Sequence, residues 1–516
     1  MTELPLGWAE ATVGDLFHYV RGVTYSKADA TKVGDAGRLP VLRANNFNHT
    51  FDLSDLVFLP SEMISEDQRL RGGDLLFAMS SGSKSHVGKC ILVKQKMNAG
   101  FGAFCGVLRP ADAAFSRLFS NAFQSKAFRN YIEELAAGTN INNLKRDLLL
   151  GYKIPIPPLN EQRRIVEKIE AMFDEIDKGA ESLQTARATL GLYRQSLLKS
   201  AFEGRLTADW RAQNPDKLEA PETLLARIQR ERDNHYKAAL DTWQDALAAW
   251  RADGETGKKP AKPKQPATFP DEPQNLRIEL PELPPGWVWT QLGLCSSGPG
   301  YGTAAKSADT GAVPVIRMGN LQRGRIDWDN LAFTSDPDEI GQYSLRAGDV
   351  LFNRTNSPEL VGKTSIYKGE RPALFAGYLV RLNQIEEIAS GPYLNYFLNS
   401  PFASEHGKTV KTDGVNQSNI NATKLQEYPF PYCSPAEQAE IVRLLDARLE
   451  AADALEAEID GGLTRASALR QSILKKAFSG HLVPQDPNDE PAAVLLEQIK
   501  ADRAKAPKAK KRKVSA

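Results

Sequence analysis

At 516 residues the chain is too long for a single core, and two or three domains are expected. Its 25% charged and 41% hydrophobic residues are those of a soluble globular protein, and a net charge of +1 excludes a uniformly basic surface while leaving room for a local basic face. No apolar run approaches the ~20 residues needed to cross a bilayer. Four widely spaced cysteines, Cys90, Cys105, Cys295 and Cys433, argue against a disulfide framework and a CxxC zinc site, so a reducing, cytoplasmic setting is expected.

The first globule, residues 1–160, opens on MTELPLGWAE, which lacks a signal peptide's apolar core and carries Leu4-Pro5-Leu6-Gly7-Trp8. It runs on through LPVLRANNF (Leu39 to Phe47), Gly73-Asp74-Leu75-Leu76-Phe77 and Val87-Gly88-Lys89. Short apolar runs such as DLLFAMS and KCILVK, bounded by Gly, Pro, Asn and Ser, read as strands and turns. A helical pattern falls at Ser116 to Ala137. The globule closes on IPIPPLNEQ (Ile154 to Gln162), where proline cannot continue a strand interior and Asn160 can cap a helix.

Residues 161–203 predict one long helix. Ile169, Ile176, Leu183, Leu190 and Leu197 recur every seven residues. Ile165, Met172, Gly179, Ala186 and Tyr193 interleave as a second series, the pattern of a coiled-coil seam. At 1.5 Å per residue such a rod is roughly 60 Å long and calls for a partner. A helical extension (204–253) comes next, then a Pro/Lys-rich linker (254–282) expected to be extended and flexible.

The second globule, residues 283–435, repeats the first in order: Leu283-Pro284-Pro285-Gly286-Trp287, VPVIRMGNL (Val313 to Leu321), Gly348-Asp349-Val350-Leu351-Phe352 and Val361-Gly362-Lys363. A helical pattern at Pro392 to Glu405 precedes PFPYCSPAEQ (Pro429 to Gln438), where Ser434-Pro435 can start a helix as cap and first-turn proline. From Gly138 onward the displacement between copies holds at 276 residues, carrying Glu161-Gln162 onto Glu437-Gln438 and Arg194-Gln195-Ser196 onto Arg470-Gln471-Ser472. A loop would drift in length, whereas a helix spanning a set distance would not.

The second long helix, residues 436–479, places Leu445, Ala452, Ile459, Ala466 and Ile473 on one series and Ile441, Leu455 and Leu469 on the other, with Arg448 and Gly462. Small residues in the seam, Gly179 and Gly462, predict close helix approach. The C-terminal extension (480–516) echoes the first in EPAAVLLEQIKADR, so the order globule–helix–globule–helix is close to circular. It ends in a tail with seven basic residues between Arg503 and Lys513, a solvated run that would add phosphate contacts near DNA. The expected fold is α+β: two mixed α/β globules in tandem repeat, separated by two long helices packed as an antiparallel coiled coil.

Catalytic patterns appear only in degraded form. Ser81 to Cys90 imitates a phosphate loop, but its glycine spacing is one residue too long and Cys90 stands where Ser or Thr would meet magnesium. Gly362-Lys363-Thr364 lacks the first glycine, replaced by Ser357. NAGFGAFCG (Asn98 to Gly106) and LFAGYLVRL (Leu374 to Leu382) read as strands rather than methyl-donor loops. Six scattered histidines form neither HExxH nor a metal cluster, and no G-x-S-x-G elbow is present. A non-catalytic binding and assembly protein is expected, with no bound metal.

Two divergent globules, each closing on a Pro-rich stretch plus Glu-Gln and running into helices that end RQSLLKSAFEGRL and RQSILKKAFSGHL, resemble the specificity subunit of type I restriction–modification systems. The GDLLFA and GDVLFN motifs and the Gly-Trp openings are similar to that family's, and the resemblance covers essentially the whole chain. It implies two target-recognition domains, each reading one half of an asymmetric bipartite site on double-stranded DNA, and an antiparallel helix pair that sets the spacer. It implies two modification (methyltransferase) subunits as partners, joined by two motor–nuclease subunits in a restricting complex. No cofactor is then bound by this chain: S-adenosylmethionine, ATP and Mg are expected on the partners.

Arg pairs with guanine and Asn or Gln with adenine in the major groove, so loops that carry such residues at matching places are the DNA-binding candidates. The first set is Arg43, Asn45 and Asn46 against Arg317 and Asn320. The second is Ser81, Ser83 and Lys84 (within Ser80 to Lys84) against Asn353, Arg354 and Asn356; the third is Asn140, Asn142 and Asn143 against Asn416, Gln417 and Asn419. Lys89 and Lys363 fit phosphate contacts, which position without specifying. Because turns favour Asn and Ser on their own account, each of these residues has an equal reading as fold chemistry. The helix ends common to both copies, Glu161, Gln162, Gln195, Glu437, Gln438 and Gln471, are expected to dock the modification subunits. Two alternatives stand beside this reading: a coiled-coil scaffold or adaptor without DNA readout, and a self-contained nuclease or methyltransferase.

Overall fold

The computed structural model describes residues 4–48, 50–83, 86–111, 113–137, 143–270, 272–274, 276, 278–415 and 417–505. Contacts divide the chain into two units, residues 1–184 with 459–516 and residues 185–458. Both boundaries fall inside the long helices, Leu159–Phe202 and Pro435–Phe478, each of 44 residues. Every unit therefore holds one globule, the first half of its own helix and the second half of the other copy's.

Each globule is tied at its ends by a two-stranded sheet. In the first unit Ala9–Thr12 pairs antiparallel with Lys153–Ile156, and in the second Trp287–Gln291 pairs with Pro429–Cys433. Of the closing prolines, Pro155, Pro429 and Pro431 thus lie within strands, which is tolerated because a strand in a two-stranded sheet always has a free edge. Inside the first globule, a four-stranded sheet runs in the order Phe17–Arg21, Cys105–Pro110, Leu75–Ala78, Cys90–Leu92. Its counterpart has six strands, because Thr364–Ile366 also pairs with a hairpin made of Leu321–Gln322 and Gly324–Ile326. A three-stranded sheet accompanies each, with Arg38–Leu42 and Val313–Ile316 central.

The Gly-Asp motif has a structural cause in both copies. Gly73 (φ 91°) and Gly348 (φ 96°) occupy the left-handed region, which a side chain would strain. Asp74 then accepts the Arg71 amide and both arms of Arg109 at 2.8 Å, and Asp349 accepts the Arg346 amide and Arg381. The strands that come next, Leu75–Ala78 and Val350–Asn353, are buried at every position.

The long helices pack antiparallel within each unit. In the first, Asp177 pairs with Arg470, and a Cβ on Gly462 would stand 2.9 Å from Leu183. In the second, Arg194 meets Asp453 at 2.7 Å and Glu456 at 2.6 Å. The first predicted seam series is covered in both helices: Ile169, Leu190, Leu197, Leu445, Ala452 and Ile473 are buried. The second holds at Ile165 and Ile441, which are buried, and is corrected by one residue over much of the rest. Gly179, Ala186, Tyr193 and Leu455 are exposed, and the covered neighbours are Phe173, Ala180, Arg194, Ala201, Leu449, Glu456, Leu463, Arg470 and Ala477. Gly462 gives the close approach expected of it, whereas Gly179 has nothing within 4 Å.

The near-circular order has a physical counterpart. The helix after the second long helix, Ala492–Lys505, lies on the first globule: Ala492 donates its amide to Gly7 O at 2.8 Å and Arg503 donates to Gly14 O at 2.6 Å. The helix Pro221–Ala252, which comes after the first, lies on the second globule, where Arg232 donates to Gly293 O at 3.0 Å and Leu294 O at 3.1 Å. Leu224 and Ile228 in one case, Leu496 and Ile499 in the other, join the core beneath.

The linker after Pro221–Ala252 is extended, as composition predicts, but it is tied down rather than flexible. It returns along that helix: Trp250 donates to Gly257 O, Trp243 to Pro260 O at 3.1 Å and Arg232 to Ala267 O, while the Lys259 and Lys262 ammonium groups sit over the Trp250 and Trp243 rings. Proline's preset extended backbone suits it to this groove-laying role. Among the described residues no helix is long and apolar enough to cross a membrane.

Candidate nucleic-acid interface

The first candidate loop is a tight 3-10 turn in both globules, Ala44–Asn46 and Met318–Asn320. Asn46 is buried; its side-chain oxygen accepts the Arg43 amide at 2.9 Å, and its nitrogen donates to Asp52 O and Asp55 O. Asn320 repeats this with the Arg317 amide, Asp327 O and Asp329 O. Both asparagines have spent their hydrogen-bonding capacity on their own loop. Arg43 is held by Asp55 at 2.8 Å and Arg317 by Asn330 O at 2.7 Å, while Asn45 is exposed. A local amide-to-backbone network of this kind is how Asn stabilises turns.

The second and third sets come together, and in the same way twice. Ser80 forms an isolated bridge with Asn143, and the Leu144 amide donates to Met79 O. In the other globule Thr355–Asn356 pairs with Ser418–Asn419, which pairs in turn with Thr412–Asp413, and the Ile420 amide donates to Arg354 O at 2.9 Å. Asn419 donates its amide to the Thr355 hydroxyl at 2.7 Å. Segments some 60 residues apart in sequence thus form one surface, with Ser81, Asn143, Arg354, Asn356 and Gln417 at least partly accessible and Ser83 exposed. Asn353 is buried, and its amide nitrogen has no acceptor among the described residues. Lys84, Asn140, Asn142 and Asn416 lie outside the described residues.

Val-Gly-Lys is a hairpin turn in both copies, with Gly88 at φ 78° and Gly362 at φ 91°. Lys89 and Lys363 are half-buried beside it. Burial, helped by the Arg129 guanidinium, lowers the Lys89 ammonium from its ordinary value, and Lys363 donates to the Gln322 side chain at 3.2 Å. The Arg354 guanidinium sits over the Tyr301 ring, 5.3 Å from its centre.

Two side chains that the sequence pattern passed over stand beside these loops. Phe104 and Tyr378 are 69% and 55% exposed, each on a tight turn within what reads as continuous strand. Their signal in the sequence is an aromatic residue in matching apolar runs, NAGFGAFCG and LFAGYLVRL.

The expected docking residues are placed differently from the expectation. Glu161, Gln162, Glu437 and Gln438 are all buried. Glu161 accepts the Trp8 indole N–H at 3.0 Å; Gln162 donates to Pro157 O; Glu437 accepts Thr207 and Arg211, both at 2.6 Å; and Gln438 donates to Ile388 O and Cys433 O. Glu161, Gln162 and Gln438 fasten their helix starts to the globule, Glu437 ties its own to the segment after the first long helix, and none of the four presents a docking surface. Gln471 accepts the Lys126 amide and donates to Gln124 O within its unit, and Gln195 is exposed.

A globule that offers amide, hydroxyl and guanidinium groups on loops held by rigid sheets, built twice on a shared helix frame, defines a two-headed recognition protein. The model of the type I restriction–modification DNA specificity domain matches residues 5–184 and 295–465, and the chain belongs to that family. It is 31% identical over 515 residues to the EcoKI specificity subunit of Escherichia coli K12, covering 97% of both chains. It is likewise 31% identical to the StySPI specificity subunit of Salmonella potsdam, covering 97% of this chain and 96% of that one. A solved structure from work on assembly and conformational transition of the type I R-M system matches the fold with a TM-score of 0.59 at 18% identity, over 93% of this chain and 100% of that one.

Proposed function

We propose that this chain is the DNA-specificity subunit of a type I restriction–modification complex, in which each globule reads one half of an asymmetric, bipartite site. The observation that carries the reading is the duplication of one loop surface, Ser80 with Asn143 and Thr355 with Asn419, on two globules that both match the specificity-domain family. The side chains on the two surfaces differ, so the half-sites differ. The antiparallel helices act as a spacer, and their exposed faces, Gln195 included, receive the modification subunits. The chain itself is non-catalytic and holds no cofactor. S-adenosylmethionine, ATP and magnesium belong to the methyltransferase and motor–nuclease partners.

Long-read methylation mapping in a host with and without the gene tests this. A bipartite methylated motif that appears only with the gene is the expected result, and a complete complex that methylates without sequence preference would sink the reading. Inserting one helical turn after Leu183 should lengthen the spacer and leave the bases read unchanged. Altered bases at a fixed spacer would remove the helix pair as the ruler.

A further inference from the structure

Phe104 and Tyr378 lie 274 residues apart at the same place in the two globules. Each sits at the third position of a tight turn, closed by the Cys105 amide on Gly102 O at 2.8 Å and by the Leu379 amide on Ala376 O at 2.9 Å. Nothing in such a turn asks for a ring; Gly, Asn or Asp would serve it better. Scattered exposed apolar side chains are ordinary, but this pair recurs at one position of a turn that is wired to the reader loops.

The wiring is the same in both globules. On one side the Gly102 amide donates to Leu42 O and the Ala376 amide to Ile316 O, the residues that precede Arg43 and Arg317. On the other, Phe104 O accepts the Met79 and Ser80 amides, and Tyr378 O accepts the Arg354 amide. Glycine backs the turn each time: a Cβ on Gly22 would stand 2.0 Å from Gly102 O, and one on Gly302 would stand 2.2 Å from Phe375 O. Each ring is therefore carried, exposed, on a backbone that is fixed between the first candidate loop and the second.

We propose that Phe104 and Tyr378 are specificity-determining residues that lay their rings against the apolar part of a nucleobase, each in the half-site read by its own globule. The inference rests on the DNA-reading function proposed above. In a duplex, apolar base surface is offered by the thymine methyl in the major groove and by the face of a base unstacked from its neighbour. Both sources present the same chemistry to an exposed ring.

The test uses the chain assembled with its modification subunits, on the site found by methylation mapping. Phe104→Ala should relax one half of the motif and lower affinity on the order of tenfold, a single base contact's worth, and Tyr378→Ala should do the same to the other half. Phe104→Tyr and Tyr378→Phe, which keep the ring, should retain both halves. Replacing thymine by deoxyuridine in the half-site weakens the wild-type complex, but not the alanine variant, if the methyl is the contact. Placing 2-aminopurine there brightens on binding if the base is unstacked. Silence in both arms overturns the base contact, and a variant that leaves its half-site and affinity unchanged overturns the assignment for that residue. A wild-type complex with no methylated bipartite site would remove the functional reading itself, a different result from a normal motif indifferent to Phe104 and Tyr378.

Discussion

The two units begin their long helices on the same buried glutamate and satisfy it by different means. In the first, Glu161 takes a single neutral donor, the Trp8 indole, and burial raises its carboxyl above the ordinary value. In the second, Glu437 takes the Thr207 hydroxyl and the Arg211 guanidinium, while Trp287, standing where Trp8 does, has no acceptor for its indole among the described residues. Thr207 and Arg211 belong to the segment just after the first long helix. The repeat has kept the position of the charge, and the arriving segment of the other copy has decided how it is compensated. Where the first unit receives its own arriving segment, the contact is instead Arg164 with Asp489 at 2.7 Å.

That difference predicts unequal costs. Arg211→Ala leaves Glu437 buried without its cation and should cost the second unit about 3–5 kcal/mol, the usual penalty for breaking one side of a buried pair. Trp8→Phe removes one hydrogen bond to a charged acceptor and should cost the first unit about 1.5–3 kcal/mol. Denaturant unfolding gives the size, and hydrogen exchange read by mass spectrometry gives the unit affected. Equal costs, or faster exchange in residues 1–184 after Arg211→Ala, would break the comparison.

The tandem organisation was readable because a constant displacement of 276 residues needs only matching letters. The seam was half readable. Its second series went to apolar residues such as Tyr193 and Leu455, whereas the covered positions one residue on include Arg194, Glu456 and Arg470, whose charges pair across the helices. A hydrophobic repeat steps over a half-buried charge and takes the apolar neighbour. The Glu-Gln pairs misled for a related reason: recurrence marks a shared need, and here the need is to anchor a buried helix start, to its own globule or, for Glu437, to the segment that follows the other long helix. Within the loops, Asn46 and Asn45 carry the same letter, yet one is consumed by its turn and the other faces solvent. Only the folded loop separates amides that hold it together from amides that are left to read.

A second asymmetry lies in one pocket. His406 packs edge-on against Tyr428 with ring centres 4.7 Å apart, and in the first unit Tyr131 meets Tyr152 at the same separation. Burial lowers the His406 pKa from the ordinary 6.5 to about 4. The unfolded chain therefore binds a proton near pH 6.5 that the folded unit refuses until about pH 4, so stability is full above pH 6.5 and is lost as pH falls through that window. Tyr131 brings no such loss. The second unit should lose exchange protection first between pH 6.5 and 4. His406→Phe, which keeps a ring on Tyr428, should flatten that slope, and a slope unchanged in the variant would assign the acid sensitivity elsewhere.

The smallest effect concerns how each globule grips its helices. The hairpin Leu321–Ile326, formed as strands only in the second unit among the described residues, sends Arg323 to Glu456 at 2.6 Å and Arg325 to Asp453 at 2.8 Å. In the matching loop of the first globule the described residues Asn48, Thr50 and Phe51 carry no charge that could do this, and His49 lies outside the described residues. Glu456 also serves Arg194, and these guanidinium groups hold its carboxyl down at about 2. Arg323 is largely exposed, so Arg323→Ala should cost only about 0.5–1 kcal/mol. The expected signature is local: faster amide exchange at Leu321–Ile326, with Arg194 still holding Glu456 and the helix pair unchanged. If exchange rises along the helices instead, Arg323 supports the pairing itself, and the grip on the second globule is part of the frame.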